Sequence, residues 1–214
     1  MKTTLLLIRH GESVANAQRY FSGQTNVPLS ELGQKQAEVT AQYLKDFPID
    51  AFYASDLRRA YETGLAAAKF HDLPVIPSTH LREIDCGEWE GMTHDEISAN
   101  YPEIYHTWRT DIGNVCLPGG ETPGQVQERV VAFLDAVVRT HEGQTVCIAS
   151  HGMAIRCFLM HVLGLPMDRM MEYPFASNAS VTTVTWENGK FTLEEHSHDS
   201  HLEGMITHFV NNVV

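Results

Sequence analysis

Basic residues are scarce in this sequence. Its 214 residues include 15 Lys and Arg against 27 Asp and Glu, which gives a formal net charge of −12 at pH 7. Because nucleic-acid binding normally needs clustered cations on one face, this balance argues against a nucleic-acid partner. An anionic ligand would need the few cations concentrated in one pocket, so the position of each arginine is informative.

Cysteine is also rare, and no long apolar run occurs. The four cysteines form no CxxC pair and do not suggest a disulfide scaffold; they are Cys86, Cys116, Cys147 and Cys157. The segment from Met1 to Ile8 has one lysine and is too short for a signal sequence or a membrane span. We therefore expect a cytoplasmic protein with reduced thiols and no membrane association.

No stretch of the sequence marks a domain boundary. The 15 glycines and nine prolines are spread along the chain, and there is no internal repeat or low-complexity tract. This length suits one large domain better than two small ones. We predict a single domain over residues 1–214, with a possible C-terminal tail from about residue 196.

Short apolar runs alternate with segments of helical periodicity. Strands are predicted at 3–8, 51–54, 74–76 and 145–149, with a hairpin of 181–186 and 191–194 around Asn188-Gly189. Helices are predicted at 31–47 behind an N-cap at Ser30, at 57–70 behind Asp56, at 122–141, and at 152–163. This alternation predicts an α/β fold with a mostly parallel sheet covered on both faces and an antiparallel edge.

Polar residues follow the predicted parallel strands. They are Arg9, His10 and Gly11 after the first strand, Ser55, Asp56 and Arg58 after the second, Arg82 and Glu83 near the third, and Ser150, His151 and Gly152 after the fourth. Ligands of open α/β sheets bind outside the carboxyl ends of the strands, so these residues are expected to converge.

Each of these residue types has a use in phosphoryl transfer. Arginines can bind the equatorial oxygens over which the transferred group spreads its charge. A neutral imidazole is a competent nucleophile near pH 7, and a second, protonated histidine adds charge and a donor. The carboxylic acid of Glu83 can donate a proton to the leaving alkoxide and then take one from water. The helix predicted to begin at His151 is expected to point its amides and positive dipole end at the phosphate.

A series of motifs in one order covers most of the chain. They are Leu7-Ile8-Arg9-His10-Gly11-Glu12-Ser13 with Asn16 and Ser22-Gly23, Pro28-Leu29-Ser30-Glu31-Leu32-Gly33, Ser55-Asp56-Leu57-Arg58-Arg59-Ala60 with Thr63, Leu81-Arg82-Glu83, Gly87-Glu88-Trp89-Glu90-Gly91, Gly120-Glu121 and Ser150-His151-Gly152. In these motifs the sequence resembles the histidine phosphatase superfamily, also called the phosphoglycerate mutase-like family. The features resemble its shorter phosphatase branch, which includes α-ribazole phosphatase and broad-specificity enzymes.

The resemblance implies a three-layer α/β/α sandwich and a role for each matched residue. His10 is expected to be the phosphorylated nucleophile and Glu83 the acid and base. Arg9, Arg58 and His151 are expected to form the phosphate pocket. Further phosphate or substrate contacts are expected at Asn16, Ser22, Gly23 and Gly152. No metal and no organic cofactor are implied, because arginine and imidazolium neutralise the phosphate themselves.

The resulting hypothesis is a metal-independent phosphatase that hydrolyses a small phosphomonoester through a phosphohistidine at His10. One alternative is a cofactor-dependent phosphoglycerate mutase, which needs a longer insertion after the acid than the 36 residues between Glu83 and Gly120. The other is a catalytically idle module that keeps the phosphate pocket, although every catalytic position is filled here. The sequence fixes neither the leaving group nor the oligomeric state.

Two further clusters have alternative interpretations. Trp89, Tyr101, Tyr105 and Trp108 follow Glu83 and could either line a leaving-group pocket or fill the core. His196, His198, His201 and His208, with Asp199, could suggest a metal site. Their spacing matches no familiar ligand pattern, so a solvated tail is the favoured interpretation.

Overall fold

A computed structural model describes residues 1–207 of the chain. Its six strands are β1 (Thr3–Arg9), β2 (Ala51–Ser55), β3 (Val75–Ser78), β4 (Thr145–Ser150), β5 (Val181–Glu187) and β6 (Lys190–His198). Its α-helices are α1 (Val14–Gln18), α2 (Glu31–Leu44), α3 (Arg58–Ala68), α4 (His94–Asn100), α5 (Pro102–Thr110), α6 (Pro123–Thr140) and α7 (Gly152–Leu163). Every strand and helix predicted from the sequence is present, with bounds shifted by a few residues.

The strands form one sheet in the order β3-β2-β4-β1-β5-β6. The pairs β2/β3, β2/β4 and β1/β4 are parallel, whereas β5 pairs antiparallel with both β1 and β6. The expected parallel sheet with an antiparallel edge is therefore confirmed. The carboxyl ends of β1 and β4, which carry the predicted histidines, are neighbours at the centre of the sheet.

Strand β1 shows why the molecule has three layers. Its residues alternate between the two faces of the sheet, as in any strand. Leu5 and Leu7 belong to the core cluster that includes residues of α6 and α7, whereas Leu6 and Ile8 belong to the cluster that includes residues of α2 and α3. All four side chains are at most 2% exposed, which explains the uninterrupted apolar run in the sequence. The predicted three-layer sandwich is confirmed.

Of the two helix caps predicted from the sequence, one is confirmed and one is wrong. The side chain of Ser30 accepts from the Gly33 amide at the start of α2, and Thr122 forms a reciprocal capping box with Gln125 at the start of α6. The predicted cap at Asp56 is wrong, because Leu57 is the N-cap of α3 and makes no side-chain cap bond. The Asp56 carboxylate instead accepts two hydrogen bonds from Arg82.

The C-terminal region is more ordered than the predicted tail. Asn188 and Gly189 both have positive φ, of 52° and 79°, as a two-residue hairpin turn requires. Strand β6 continues to His198, and Leu202 is fully buried, so the prediction of a tail from residue 196 is wrong up to that point. The rest of the predicted tail beyond residue 207, including His208, lies outside the described residues. Within residues 1–207, no helix is both long enough and apolar enough to cross a membrane.

Candidate active site

Two histidines meet at the carboxyl ends of the two central parallel strands. His10 follows β1 and His151 follows β4, and the strand register pairs Arg9 with Ser150. The two imidazole rings are therefore adjacent, with centroids 5.1 Å apart and planes inclined by 62°. Both residues are buried, at 3% and 0% exposure. The convergence predicted from the strand ends is thus present at its centre.

The tautomer of His10 is defined by its backbone contact. Its Nδ1 lies 2.7 Å from the carbonyl oxygen of Gly11. Because a carbonyl oxygen only accepts, Nδ1 carries the hydrogen and Nε2 keeps its lone pair. Burial, reinforced by the positive charges of Arg59 and Arg9, lowers the pKa of His10 well below 6.5. His10 is therefore a neutral imidazole at pH 7, the form that can attack phosphorus.

His151 is held in place by the fold and not by side-chain hydrogen bonds. It is the N-cap residue of α7, and neither of its ring nitrogens has a hydrogen-bond partner among the described residues. Burial and the nearby groups Arg59 and His10 lower the pKa of His151 well below 6.5. A buried imidazole without partners is costly unless a ligand satisfies it. Its position beside His10 indicates an anion as that ligand.

Two buried arginines accompany the histidines. Arg9 donates from Nη1 to the Ala176 carbonyl over 2.6 Å, and burial lowers its pKa to about 10, so it stays charged at pH 7. Arg59 donates to the carbonyls of Gly23 and Thr25 over 2.7 and 3.0 Å, while its Nε–H has no partner among the described residues. Both guanidinium groups line the same cavity as His10. They can supply positive charge to a bound phosphate.

The prediction that Arg58 lines the phosphate pocket is wrong, and Arg59 occupies that place. The Arg58 side chain is 57% exposed and pairs with Glu62, one turn along α3. Neighbouring side chains in a helix point about 100° apart, so only one of two adjacent arginines can face the sheet. Arg59 lies four residues before Thr63, which is buried and donates back to the Arg59 carbonyl. This spacing is the sequence signal that distinguishes the two arginines.

Glu83 is oriented by the N-terminus of α7. Its carboxylate accepts from the amides of Met153 and Ala154 over 3.1 and 3.3 Å, and from the Ile84 amide over 2.9 Å. The sequence predicted that this helix end would point its amides at the phosphate. Two of those amides bind Glu83 instead, so the helix positions the carboxylate and thereby fixes where a proton can be delivered.

Three of the four predicted contact residues line the cavity directly, and the fourth packs against it. Asn16, Ser22 and Gly23 lie in its wall. The Oδ1 atom of Asn16 accepts from the Ser13 amide over 3.1 Å, which orients the carboxamide. A Cβ added to Gly152 would lie 3.2 Å from the Phe175 ring and 3.4 Å from the Arg9 guanidinium carbon. Gly152 therefore allows Arg9 and Phe175 to approach the start of α7.

The remaining lining residues were not predicted as site residues. Trp108 is the exception, because the sequence analysis left open whether it lines a leaving-group pocket or fills the core. These lining residues are Tyr20, Phe21, Ile84, Cys86, Trp108, Met153 and Phe175. Most lie in loops, whose approach to the cavity carries no periodic signal in the sequence. Of the four aromatics with two interpretations, Trp108 both lines the cavity and belongs to the core, and Trp89 is fully buried in the core. Tyr101 and Tyr105 are half-buried against that core.

The C-terminal histidines are used in packing within the described residues. The rings of His198 and His201 stack on Tyr43 of α2, with centroids 5.0 and 4.5 Å away. His201 also contacts the Thr40 hydroxyl, and His196 packs against Tyr173. Up to residue 207, no three His, Cys, Asp or Glu side chains are grouped closely enough to hold a metal ion. His198 and His201 therefore attach the end of β6 and the segment after it to α2.

A neutral imidazole beside buried arginines, an unpartnered histidine and an oriented carboxylate are the groups that an enzyme of phosphoryl transfer through histidine requires. The comparisons agree. A sequence profile of the histidine phosphatase superfamily, branch 1, matches residues 5–199. The chain belongs to this family.

Named relatives include phosphatases. Phosphoserine phosphatase 1 of Hydrogenobacter thermophilus is 36% identical over 86% of each chain. The solved structure of YhfR of Bacillus stearothermophilus has a TM-score of 0.90 and 32% identity, and covers 94% of this chain and 99% of that one. The α-ribazole phosphatase of Shigella flexneri has a TM-score of 0.82 and 26% identity, with coverages of 91% and 96%. The predicted family and the phosphatase class are confirmed.

Proposed function

We propose that the chain hydrolyses small phosphomonoesters with His10 as the nucleophile and Arg59, instead of Arg58, as a phosphate ligand. One observation carries the proposal. The hydrogen-bonded Nδ1 of His10 leaves Nε2 unprotonated beside a histidine and an arginine whose buried polar atoms lack partners, namely His151 Nδ1 and Nε2 and Arg59 Nε. A bound phosphoryl group would accept from Arg59 Nε–H and from one ring nitrogen of His151, and no group among the described residues does so.

The reaction follows in two steps. The Nε2 lone pair attacks phosphorus, the ester P–O bond breaks, and Glu83 in its acid form gives its proton to the departing alkoxide. Water then attacks the phosphohistidine while Glu83 takes a proton from it, so His10 and inorganic phosphate are released. Arg9, Arg59 and His151 bind the equatorial oxygens and stabilise the charge that develops in both transition states.

We also propose that this chemistry needs no metal. The two guanidinium groups supply the positive charge that a divalent cation supplies in other phosphoryl-transfer sites, and His151, which is neutral at pH 7 because its pKa is lowered, supplies a hydrogen-bond donor. Turnover is expected to be unchanged in EDTA. Loss of turnover in EDTA that is restored by one divalent metal would contradict this part of the proposal.

The mutase alternative is less consistent with the segment after the acid. The 36 residues between Glu83 and Gly120 fold into short helices, and Trp89 and Trp108 from this segment are buried in the core. This leaves little chain to cover a phosphorylated intermediate, so we propose hydrolysis. Turnover without added 2,3-bisphosphoglycerate is the expected result, and strict dependence on it would favour the mutase.

The cytoplasm remains the proposed compartment and a small phosphoester the proposed partner. All four cysteines are free in the structure, and three of them are buried. Unpaired thiols are the usual state of proteins in reducing compartments.

The nucleophile is tested with wild type, His10→Ala and the control His161→Ala, which changes an exposed histidine of α7. Turnover of a phosphomonoester panel and acid-labile phosphohistidine after rapid quench are measured together. Both signals are expected in the wild type and in His161→Ala, and both should vanish in His10→Ala. Turnover that survives in His10→Ala would refute the assignment, and a wild type that binds phosphate without turnover would identify an idle module.

A further inference from the structure

The part of the cavity next to the proton donor is apolar. A general acid must reach the departing oxygen, so the residues beside Glu83 mark the place of the leaving group. Ile84 and Met153 lie there, because their amides donate to the Glu83 carboxylate. We use the name apolar wall for these two residues together with the other apolar and aromatic lining residues: Tyr20, Phe21, Cys86, Trp108 and Phe175.

Contacts behind the surface hold the apolar wall rigid. Phe21 packs edge-on against Trp108, with centroids 5.2 Å apart and planes inclined by 67°. Trp89, which is fully buried, contacts both rings at 5.5 and 5.9 Å. A surface that is already ordered loses little conformational entropy when a ligand binds. The apolar wall is therefore suited to stacking or packing against a flat, apolar group.

The charges of the cavity are concentrated on its phosphate side. Among the described residues that line the cavity, the arginines are Arg9 and Arg59, and no lysine is present. Arg59 is held by the carbonyls of Gly23 and Thr25, and Glu83 places a carboxyl group beside the leaving group. The guanidinium groups of Arg9 and Arg156 lie 5.9 and 4.3 Å from the centroid of the Phe175 ring, but they donate to the carbonyls of Ala176 and Met170, and Arg156 does not line the cavity. A carboxylate on the leaving group would therefore lose its hydration against aromatic faces without gaining a cation of its own.

Given the phosphatase function proposed above, on which this inference depends, we propose that the site prefers phosphomonoesters of uncharged apolar or aromatic alcohols. Phe21, Trp108 and Phe175 contact the alcohol part and determine the specificity. This preference would distinguish the chain from relatives named for phosphoserine and glucosyl-3-phosphoglycerate, whose alcohol parts carry a carboxylate.

The test compares substrates that differ in the alcohol part but share a primary alkyl ester bond. They are 2-phenylethyl phosphate, 3-phosphooxypropanoate and O-phosphoserine. We expect kcat/KM for 2-phenylethyl phosphate to exceed that for each substrate with a carboxylate on its alcohol part by at least about tenfold. Equal or higher kcat/KM for either carboxylate-bearing substrate would overturn the proposal.

Two variants attribute the preference to the apolar wall. Tyr20→Lys adds a cation to the wall and is expected to lower the ratio of kcat/KM, phenylethyl over anionic, by about tenfold. Tyr61→Lys is the matched control, because Tyr61 is half-buried on α3 outside the cavity, and its ratio should stay unchanged. Phe175→Leu removes a ring of the wall and should lower the same ratio if Tyr20→Lys fails to fold. A ratio unchanged in folded variants would overturn the assignment.

The two proposals fail in different ways. Turnover that requires His10 but favours the anionic substrates leaves the phosphatase function intact and overturns only the substrate preference. Absence of turnover on all three substrates overturns both.

Arg19 and Arg109 are the nearest test of an alternative recognition site. They lie outside the cavity lining but near enough to His94 to add to the lowering of its pKa, which is caused mainly by burial. An anionic preference that is lost in Arg19→Gln or Arg109→Gln would assign recognition to these arginines instead.

Discussion

Adjacent arginines at the start of α3 allow a matched test of the phosphate site. Arg59→Gln removes a buried cation from the cavity, whereas Arg58→Gln removes an exposed one that pairs with Glu62. Losing one preorganised donor to the developing charge costs about 100- to 1,000-fold in kcat, or about 2.7–4 kcal/mol. Because a full guanidinium charge is lost, Arg59→Gln is expected to lower kcat/KM at least that far. Arg58→Gln should leave kcat/KM within about twofold, because the exposed Arg58 side chain does not line the cavity.

Stability must be measured alongside activity, because Arg59 also supports the fold. Its bonds to the carbonyls of Gly23 and Thr25 involve a charged donor and contribute about 1.5–3 kcal/mol each. Removing a buried charge returns part of that free energy, so the net loss is expected to stay below about 3 kcal/mol. Urea unfolding and phosphatase assays on the folded fraction separate the two effects. Equal loss of activity in both variants, or less than about threefold loss in Arg59→Gln, would refute the assignment of Arg59.

Two further predictions concern pH and packing. Burial lowers the pKa of His10 and His151, so below about pH 6.5 the unfolded state binds protons that the folded state does not. As the pH is lowered below about 6.5, the free energy of unfolding is therefore expected to decrease by up to about 2.7 kcal/mol per pH unit from this pair. In His151→Gln the slope of the free energy of unfolding against pH, measured by urea unfolding, should be smaller by about 1.4 kcal/mol per pH unit, and an unchanged slope would contradict the lowered pKa of His151. A Cβ on Gly33 would lie 1.9 Å from the Glu12 carbonyl oxygen, beside the His10 loop, whereas Gly124 has only one atom nearby, at 3.9 Å. Gly33→Ala should cost more than about 2 kcal/mol by urea unfolding and also reduce kcat, while Gly124→Ala should change neither appreciably; equal effects would show that the Gly33 contact relaxes.

The sequence predicted those parts of the fold and site that depend on periodicity and strand ends. His10 and His151 follow uninterrupted apolar strands, and the parallel register of those strands brings them together. Arg58 was predicted from its position at the start of the helix after β2, whereas the face of α3 that packs against the sheet carries Arg59. Asp56 was expected to cap α3, but its carboxylate is bound by Arg82, a long-range pairing that local propensity does not encode.

The site's least predictable part is the apolar wall. Most of its members come from loops, Trp108 comes from the short helix α5, which the sequence did not predict, and Met153 comes from the start of α7. A side chain at Gly152 would crowd the Phe175 ring, and the Arg156 guanidinium lies over that ring, 4.3 Å from its centroid. Such contacts arise from tertiary packing between distant segments, which explains why sequence reasoning identified the reaction but not the leaving group.

The arrangement of Arg59 also predicts how the protein responds to its product. Arg59 is almost completely buried, and its hydrogen bonds go to carbonyl groups, which orient a cation without neutralising it. Burial lowers the pKa of Arg59, which means that the folded protein bears a desolvation cost for this charge. A bound phosphate dianion would offset that cost and also satisfy His151. Phosphate is therefore expected to bind the folded state selectively.

This expectation can be measured as a thermal shift. At 100 times its Kd, a ligand specific for the folded state contributes about 2.7 kcal/mol, which corresponds to a rise in Tm of about 5–10 °C for a chain of this size. Wild type and Arg58→Gln should show this rise in sodium phosphate, compared with sodium chloride at equal ionic strength. Arg59→Gln should show little of it. A full shift in Arg59→Gln would mean that phosphate stabilises the protein elsewhere, and the unpartnered atoms of Arg59 and His151 would then need another explanation.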